Sequence, residues 1–318
     1  KVEELALDEI DVLADLAVIE DVLRVAYDFF SANNLTKIEQ VKQFIAEQWF
    51  LDINLVNNEN LNILADILDI ACESQLLVNV VSDLLDNVGN LAIVDRYGDF
   101  SILGEVGQVE LKADLQTLAN VIRYAVDAKV CEYVKNSDID PLDWGAIGNV
   151  VAEIGKLNLI NECASNLIPQ VINYLFGSKL DIELTEADFA AVNYASDFAN
   201  LGQAITMVGN ILTNLNLESV TDILLFISNK DFLDPIVLTD ENANALLDAV
   251  DVLANANIIG ALSPFAIAYG TAILKASKID ISFLNGAVTP TEFNSDLHTI
   301  VAIAKEAVGF GVMHYITE

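Results

Sequence analysis

Two histidines, three cysteines and 48 acidic side chains are what this chain has to do chemistry with. Nucleophilic catalysis of the Ser-His-Asp or Cys-His kind must take His298 or His314 as its base. The cysteines, Cys72, Cys131 and Cys163, all lie far before His298 in the chain, and there is no GxSxG turn. They stand too far apart for a CxxC redox pair or a zinc knuckle, and an odd number is no disulfide framework. They read as buried, small apolar residues.

Carboxylates are the one abundant catalytic type. Paired acids could serve a glycosidase. Sugar subsites also need aromatic platforms, and the two tryptophans, Trp49 and Trp144, stand where the other repeats described below have none. The densest acidic cluster, Asp138, Asp140 and Asp143, lacks the glycine and closing glutamate of a calcium loop and is broken by Pro141. Asp143 reads instead as the cap of a helix beginning DWGAI. Neither a GxGxxG nor a Walker pattern is present, so there is no phosphate cradle. The sequence thus gives no catalytic, cofactor-binding or metal-ligating residue and calls for no cofactor. Weak divalent-cation binding by the acidic surface is all that remains of metal chemistry.

One acid is different because it recurs. Asp-(Leu/Phe)-x-x-(Leu/Ile) occurs at Asp15, Asp114, Asp197 and Asp296, at spacings of 99, 83 and 99 residues. Each marks what we term an A helix. Between them lie three B segments with shared apolar positions, beginning at Leu64, Ile147 and Leu246. Leu76, Leu159 and Ile258 correspond in these segments. The interval from each to the next recurring Asp is the same in all three units: Leu76 to Asp114, Leu159 to Asp197 and Ile258 to Asp296. Weak similarity with one invariant spacing is what an old internal duplication leaves. Four copies are what a packing constraint produces, so the Asp is expected to accept hydrogen bonds from backbone N–H groups at a helix start.

The elements that position these residues are helices. Apolar residues recur at three- and four-residue steps, as in Leu13, Leu16, Ile19, Leu23 and Ala26, and in Ile147, Val150, Val151 and Ile154. Gly155, Gly177 and Gly286 read as helix stops; Asp143 and Thr289-Pro290-x-Glu292 read as starts. A capping box is expected at Thr36 and Glu39, opening a helix over 37–49. The equivalent helix falls at 218–228, and the middle unit is expected to lack it because its A-to-B stretch is shorter by about the length of one such helix. Strand-like alternation is confined to short extended linkers at Asp99-Phe100-Ser101, Asp181-Ile182-Glu183 and Asp280-Ile281-Ser282.

The fold expected is all-α, a tandem helical repeat built as a solenoid or as abutting helical bundles. It holds about three and a half units of 83–99 residues: 1–107, 108–190 (the short form), 191–289 and a partial fourth unit, 290–318. The uncharged run 252–274 reaches membrane-span length. It aligns with charged segments of the other units, and Asn255, Asn257, Ser263 and Pro264 interrupt it, so it reads as a helix pair in the core.

Only 15 basic residues stand against the 48 acids, for a net charge of −33, while 53% of the residues are apolar. That composition is too apolar for a disordered acidic tail. It also disfavours nucleic acid and anionic membrane surfaces as partners. The expected function is non-catalytic: a structural or interaction segment of a larger, surface-exposed or extracellular protein, with a protein partner or a second copy bound through repeat surfaces. A chain that begins at Lys1 without Met fits a processed or excised product. The alternatives are a carrier of a hydrophobic ligand, a carboxylate-dependent hydrolase, and a cytoplasmic location.

Overall fold

The computed structural model describes residues 11–46, 55–80, 108–135, 142–180, 182–217, 219–229, 234, 237, 239–275 and 289–317. Among them every regular element is helical. The helices are α1 (Val12–Ala32), α2 (Ile38–Ala46), α3 (Asn58–Ala71), α4 (75–80), α5 (Gln108–Asp127), α6 (Val130–Lys135), α7 (Trp144–Ile154) and α8 (Asn158–Ile172). Then follow α9 (Ser178–Leu180), α10 (Tyr194–Asn214), α11 (Val220–Asn229), α12 (Asp240–Ala254), α13 (Asn257–Ala261), α14 (Ser263–Lys275), α15 (Pro290–Gly309) and α16 (Val312–Thr317). A π-helical turn, Asn173–Gly177, links α8 to α9.

Short polar side chains start these helices by accepting first-turn N–H groups: Asp11 for α1, Asn57 for α3, Asp143 for α7, Asn193 for α10, Thr239 for α12 and Thr289 for α15. The expected Thr289–Glu292 box with Pro290 is formed in full. Its counterpart on α2 lies one residue beyond the expected Thr36–Glu39. There the Lys37 N–H donates to Gln40 Oε1 at 2.9 Å. Ser219 and Asp222, the equivalent positions of the third unit, form the same pair in front of α11. Three A helices end at a non-glycine residue in the left-handed region, Asn34 (φ 60°), Lys129 (φ 57°) and Asn216 (φ 58°), which turns the chain into the next short helix.

The chain divides into two compact units. One comprises Lys1–Ile139 and Lys156–Glu162, the other Asp140–Gly155 and Cys163–Glu318. In the first, α3 packs against both α1 and α5. Its core holds Cys72, Val78, Leu111 and Leu115, with Leu68 and Leu159 against them. In the second, α10 packs on α7 and on α12, and α15 packs on α12 and α13.

Several expectations need correction. The middle unit does not lack its short helix: α6, of six residues, follows Lys129 where the long units have α2 and α11, of nine and ten. The shortening is shared between helix and link. The A helix α5 stops at Asp127, about one turn sooner after Asp114 than α1 stops after Asp15, at Ala32, or α10 after Asp197, at Asn214. The rest is spread over α6, over α7, which has 11 residues against 14 in α3 and 15 in α12, and over the stretches between these helices. On α1 the expected buried stripe is largely bare, with Leu13 81%, Leu16 54% and Leu23 63% exposed. On α5 the residue equivalent to Leu16, Leu115, is buried by the α3 side. On α7 the deepest residues are Ala146, Gly148 and Glu153, with the expected aliphatic residues only half-buried around them.

The run 252–274 forms the end of α12, all of α13 and most of α14, with Ala254, Ala256, Ile258, Ala261, Ser263, Ile267 and Ala268 buried. No helix among the described residues is long and apolar enough to cross a membrane. Of the three extended linkers only 182–185 is described. It is non-helical, and Asn173 pins it by donating from Nδ2 to Leu184 O at 2.7 Å and accepting the Leu184 N–H at 2.8 Å. Gly286 lies outside the described residues, as do the other two linkers.

Candidate functional site: a repeated carboxylate bracket

Asp15, Asp114 and Asp197 each sit near the start of an A helix and are 5%, 3% and 0% exposed. Burial of a carboxylate demands partners, and each acid finds them at the first turn of the second helix of a B segment, α4, α8 or α13, here called the B-type helix. Asp15 takes the N–H groups of Gln75 and Leu76 at 3.0 and 3.1 Å. Asp114 takes those of Asn158 and Leu159 at 2.7 and 2.8 Å, and the Asn158 side-chain amide at 3.0 Å. Asp197 takes the Ile258 N–H at 2.9 Å, with a second bond from the backbone of Asn257. The receiving residues include Leu76, Leu159 and Ile258, the three that correspond in the sequence. A helix start has unpaired N–H groups and a partial positive charge, so a buried carboxylate there completes the helix.

Burial pushes the Asp197 carboxyl above the usual carboxylate range, against the pull of the Ile258 and Asn257 N–H groups and the Ser196 hydroxyl. The oxygens of the bracket face backbone donors at helix starts. Asp296, the fourth copy, is exposed and accepts no hydrogen bond from a described residue.

A second recurring constellation went unread in the sequence. Arg123 on α5 meets Asp66 at 2.9 Å and Asp69 at 2.6 Å on α3. Lys305 on α15 meets Asp248 at 2.7 Å and Asp251 at 3.8 Å on α12. The two trios are related by the same shift that relates the first and third units, and that shift was the signal that could have found them. The middle unit has Thr206, Asn149 and Ala152 at these places. It closes the gap differently: α7 and α10 cross at Gly148 and Gly202, where a Cβ on either would collide with the other's carbonyl.

The remaining candidates that lie among the described residues stand apart from the bracket. His298 Nδ1 lies 2.7 Å from Asp251 Oδ1, on a carboxylate whose other oxygen is 3.8 Å from Lys305 Nζ. His314 stacks edge-on against Tyr315. Trp144 packs on Gly209 of α10, and Asp143 beside it accepts the Ala146 N–H at 2.9 Å. Trp49, Asp138 and Asp140 lie outside the described residues, as does the side chain of Cys163. Cys72 and Cys131 are buried thiols, and burial pushes the Cys72 thiol up. Among the described residues no cluster of three or more His, Cys, Asp or Glu could hold a metal ion.

The first compact unit also has a cavity of about 430 Å³ between α1, α2 and α3. Phe29, Phe30 and Phe44 line it, with mutually tilted rings, beside Leu55, Leu61, Leu64 and Ile67. Its one polar residue, Asn60, is engaged by Asn33 at 3.2 Å and Leu55 O at 2.8 Å. Compared with known proteins, the chain matches no family model, no curated relative and no solved structure.

Proposed function

We propose that this chain is a non-catalytic helical-repeat segment that builds a structural or interaction surface, in a protein exposed at the cell surface or outside the cell. The observation that carries this reading is the bracket. The acid that recurs in every A helix is buried against a helix start in three of its four copies, so its repetition serves assembly of helices. The high negative charge suits an extended surface that stays soluble and meets partners through specific contacts. The test is turnover of a panel of glycoside, ester, phosphoester and peptide substrates by the purified chain. The expected result is none above buffer. Turnover that survives repurification and is abolished by a single Asp or Glu substitution would overturn the reading and favour the hydrolase.

A second reading, a carrier of a hydrophobic ligand, is favoured by the cavity lined by Phe29, Phe30 and Phe44. Its walls offer no unpaired polar group, so an uncharged aliphatic or aromatic molecule suits it. Native mass spectrometry of the chain purified without detergent should then reveal a bound apolar molecule that is lost on Ala26→Trp, a substitution that fills the space. A ligand-free spectrum would remove this reading.

A further inference from the structure

One stripe of α15 repeats a stripe of α1, yet the two are covered differently. Asp296, Ile300, Ile303 and Phe310 stand 281 positions after Asp15, Ile19, Val22 and Phe29. On α1 the Asp is buried and the three apolar residues are half-buried, on the side that meets α3 and the start of α4. At the α15 end all four are exposed, with Ile300 at 59%, Ile303 at 65% and Phe310 at 80%. The other side of α15 is occupied: Asn294, Val301 and Val308 are buried, and His298 and Lys305 engage α12.

What covers such a stripe is seen three times in this chain. Each time it is a helix that opens with an amide residue followed by Leu or Ile, Gln75-Leu76, Asn158-Leu159 or Asn257-Ile258, and sets its first N–H groups on the Asp. The match is electrostatic as well as apolar, since a helix start is partially positive and Asp296 brings the negative charge.

We propose that α15 is a docking surface for a helix of this repeat type carried by a partner protein, with the helix start seated on Asp296 and its aliphatic side chains over Ile300 and Ile303. The proposal rests on the interaction reading above and names the chemistry of the partner.

The experiment uses the full chain and a fluorescein-labelled peptide of residues 256–275, the segment that seats on Asp197. Saturable binding is expected, weakened about tenfold or more by Asp296→Ala, the scale of a lost charge-assisted bond. Ile303→Asp should weaken it similarly. Asn257→Pro in the peptide should also weaken it, because proline is tolerated in a helix's first turn but removes one donor. Both protein positions are exposed, so the melting temperatures of these variants should match that of the parent. Absence of binding at millimolar peptide, or equal binding to parent and both variants, overturns the proposal. If the peptide fails while the chain engages a partner through another face, only the docking site falls. Acid-dependent turnover would instead remove the interaction reading itself.

Discussion

At Asp114 three donors converge on a carboxylate that is 3% exposed, and one of them, the Asn158 side-chain amide, also reaches Glu110 O at 3.4 Å. Stranding buried donors costs about 1–3 kcal/mol, and losing a helix cap about 0.5–2 kcal/mol. Asp114→Ala should therefore destabilise the chain by about 2 kcal/mol, a fall in melting temperature of roughly 4–8 °C. The fall should be the same in metal-free buffer and in millimolar calcium; a loss seen only with calcium would make Asp114 a ligand. Asp197 adds a pH signature. Its carboxyl is raised by burial, so the folded chain holds a proton that the unfolded chain has already released. That contribution to stability is full at low pH and declines as pH climbs from the ordinary carboxylate range through the raised one. Asp197→Asn cannot ionise and should flatten this part of the decline in urea midpoints; a profile parallel to the parent's would refute the assignment. Glu292 works in the opposite sense. Bonds from Thr289 N–H and hydroxyl hold it below the usual range, so its contribution is lost as pH falls through that lowered range.

Between elements, the chain fastens an A helix to the first helix of the preceding B segment, α3, α7 or α12, in two ways. The outer repeats use a basic side chain between two acids, at the moderately exposed rims of α3–α5 and α12–α15. Pairs of that exposure contribute little, about 0–1 kcal/mol. The middle repeat brings backbones together at Gly148 and Gly202, and Trp144 fills the space over Gly209. A methyl group at Gly202 has nowhere to go, and overpacking of this kind costs about 1–3 kcal/mol. Gly202→Ala should lower the urea midpoint accordingly, whereas Lys305→Ala should move it by well under half as much; the reverse order would show that charge holds these helices. These contacts mark where the sequence stops being legible. The helices and the bracket could be read, because the helical period and the constant interval from Leu76, Leu159 and Ile258 to the next Asp both run along the chain. The glycine crossing could not, since Gly148 and Gly202 each look like an isolated, unfavourable helix-interior glycine and gain meaning only as a pair. The shortened α5 was hidden for a related reason: a shorter stretch of chain does not say how much of the loss falls in a helix.

Over the whole molecule, 48 acids against 15 bases leave a repulsion that every compact arrangement must bear. Salt screens charges more than about 10 Å apart at 0.1 M, which relieves that repulsion while weakening exposed ion pairs such as the Arg123 and Lys305 trios. Raising NaCl from about 0.02 to about 0.5 M should therefore raise the melting temperature, by about 2–4 °C for each kcal/mol recovered. A fall would mean that the Arg123 and Lys305 trios outweigh the global charge. The bracket has a further consequence in time. The first amides of a helix ordinarily trade their protons with water soonest, because nothing inside the helix holds them. Here the amides of Leu76, Leu159 and Ile258 are clasped by an acid distant in sequence, on another helix. They can be released only when an A helix parts from its B helix. In heavy water these three helix starts should keep their protium longest, so that deuterium enters B-type helices from their C-terminal ends.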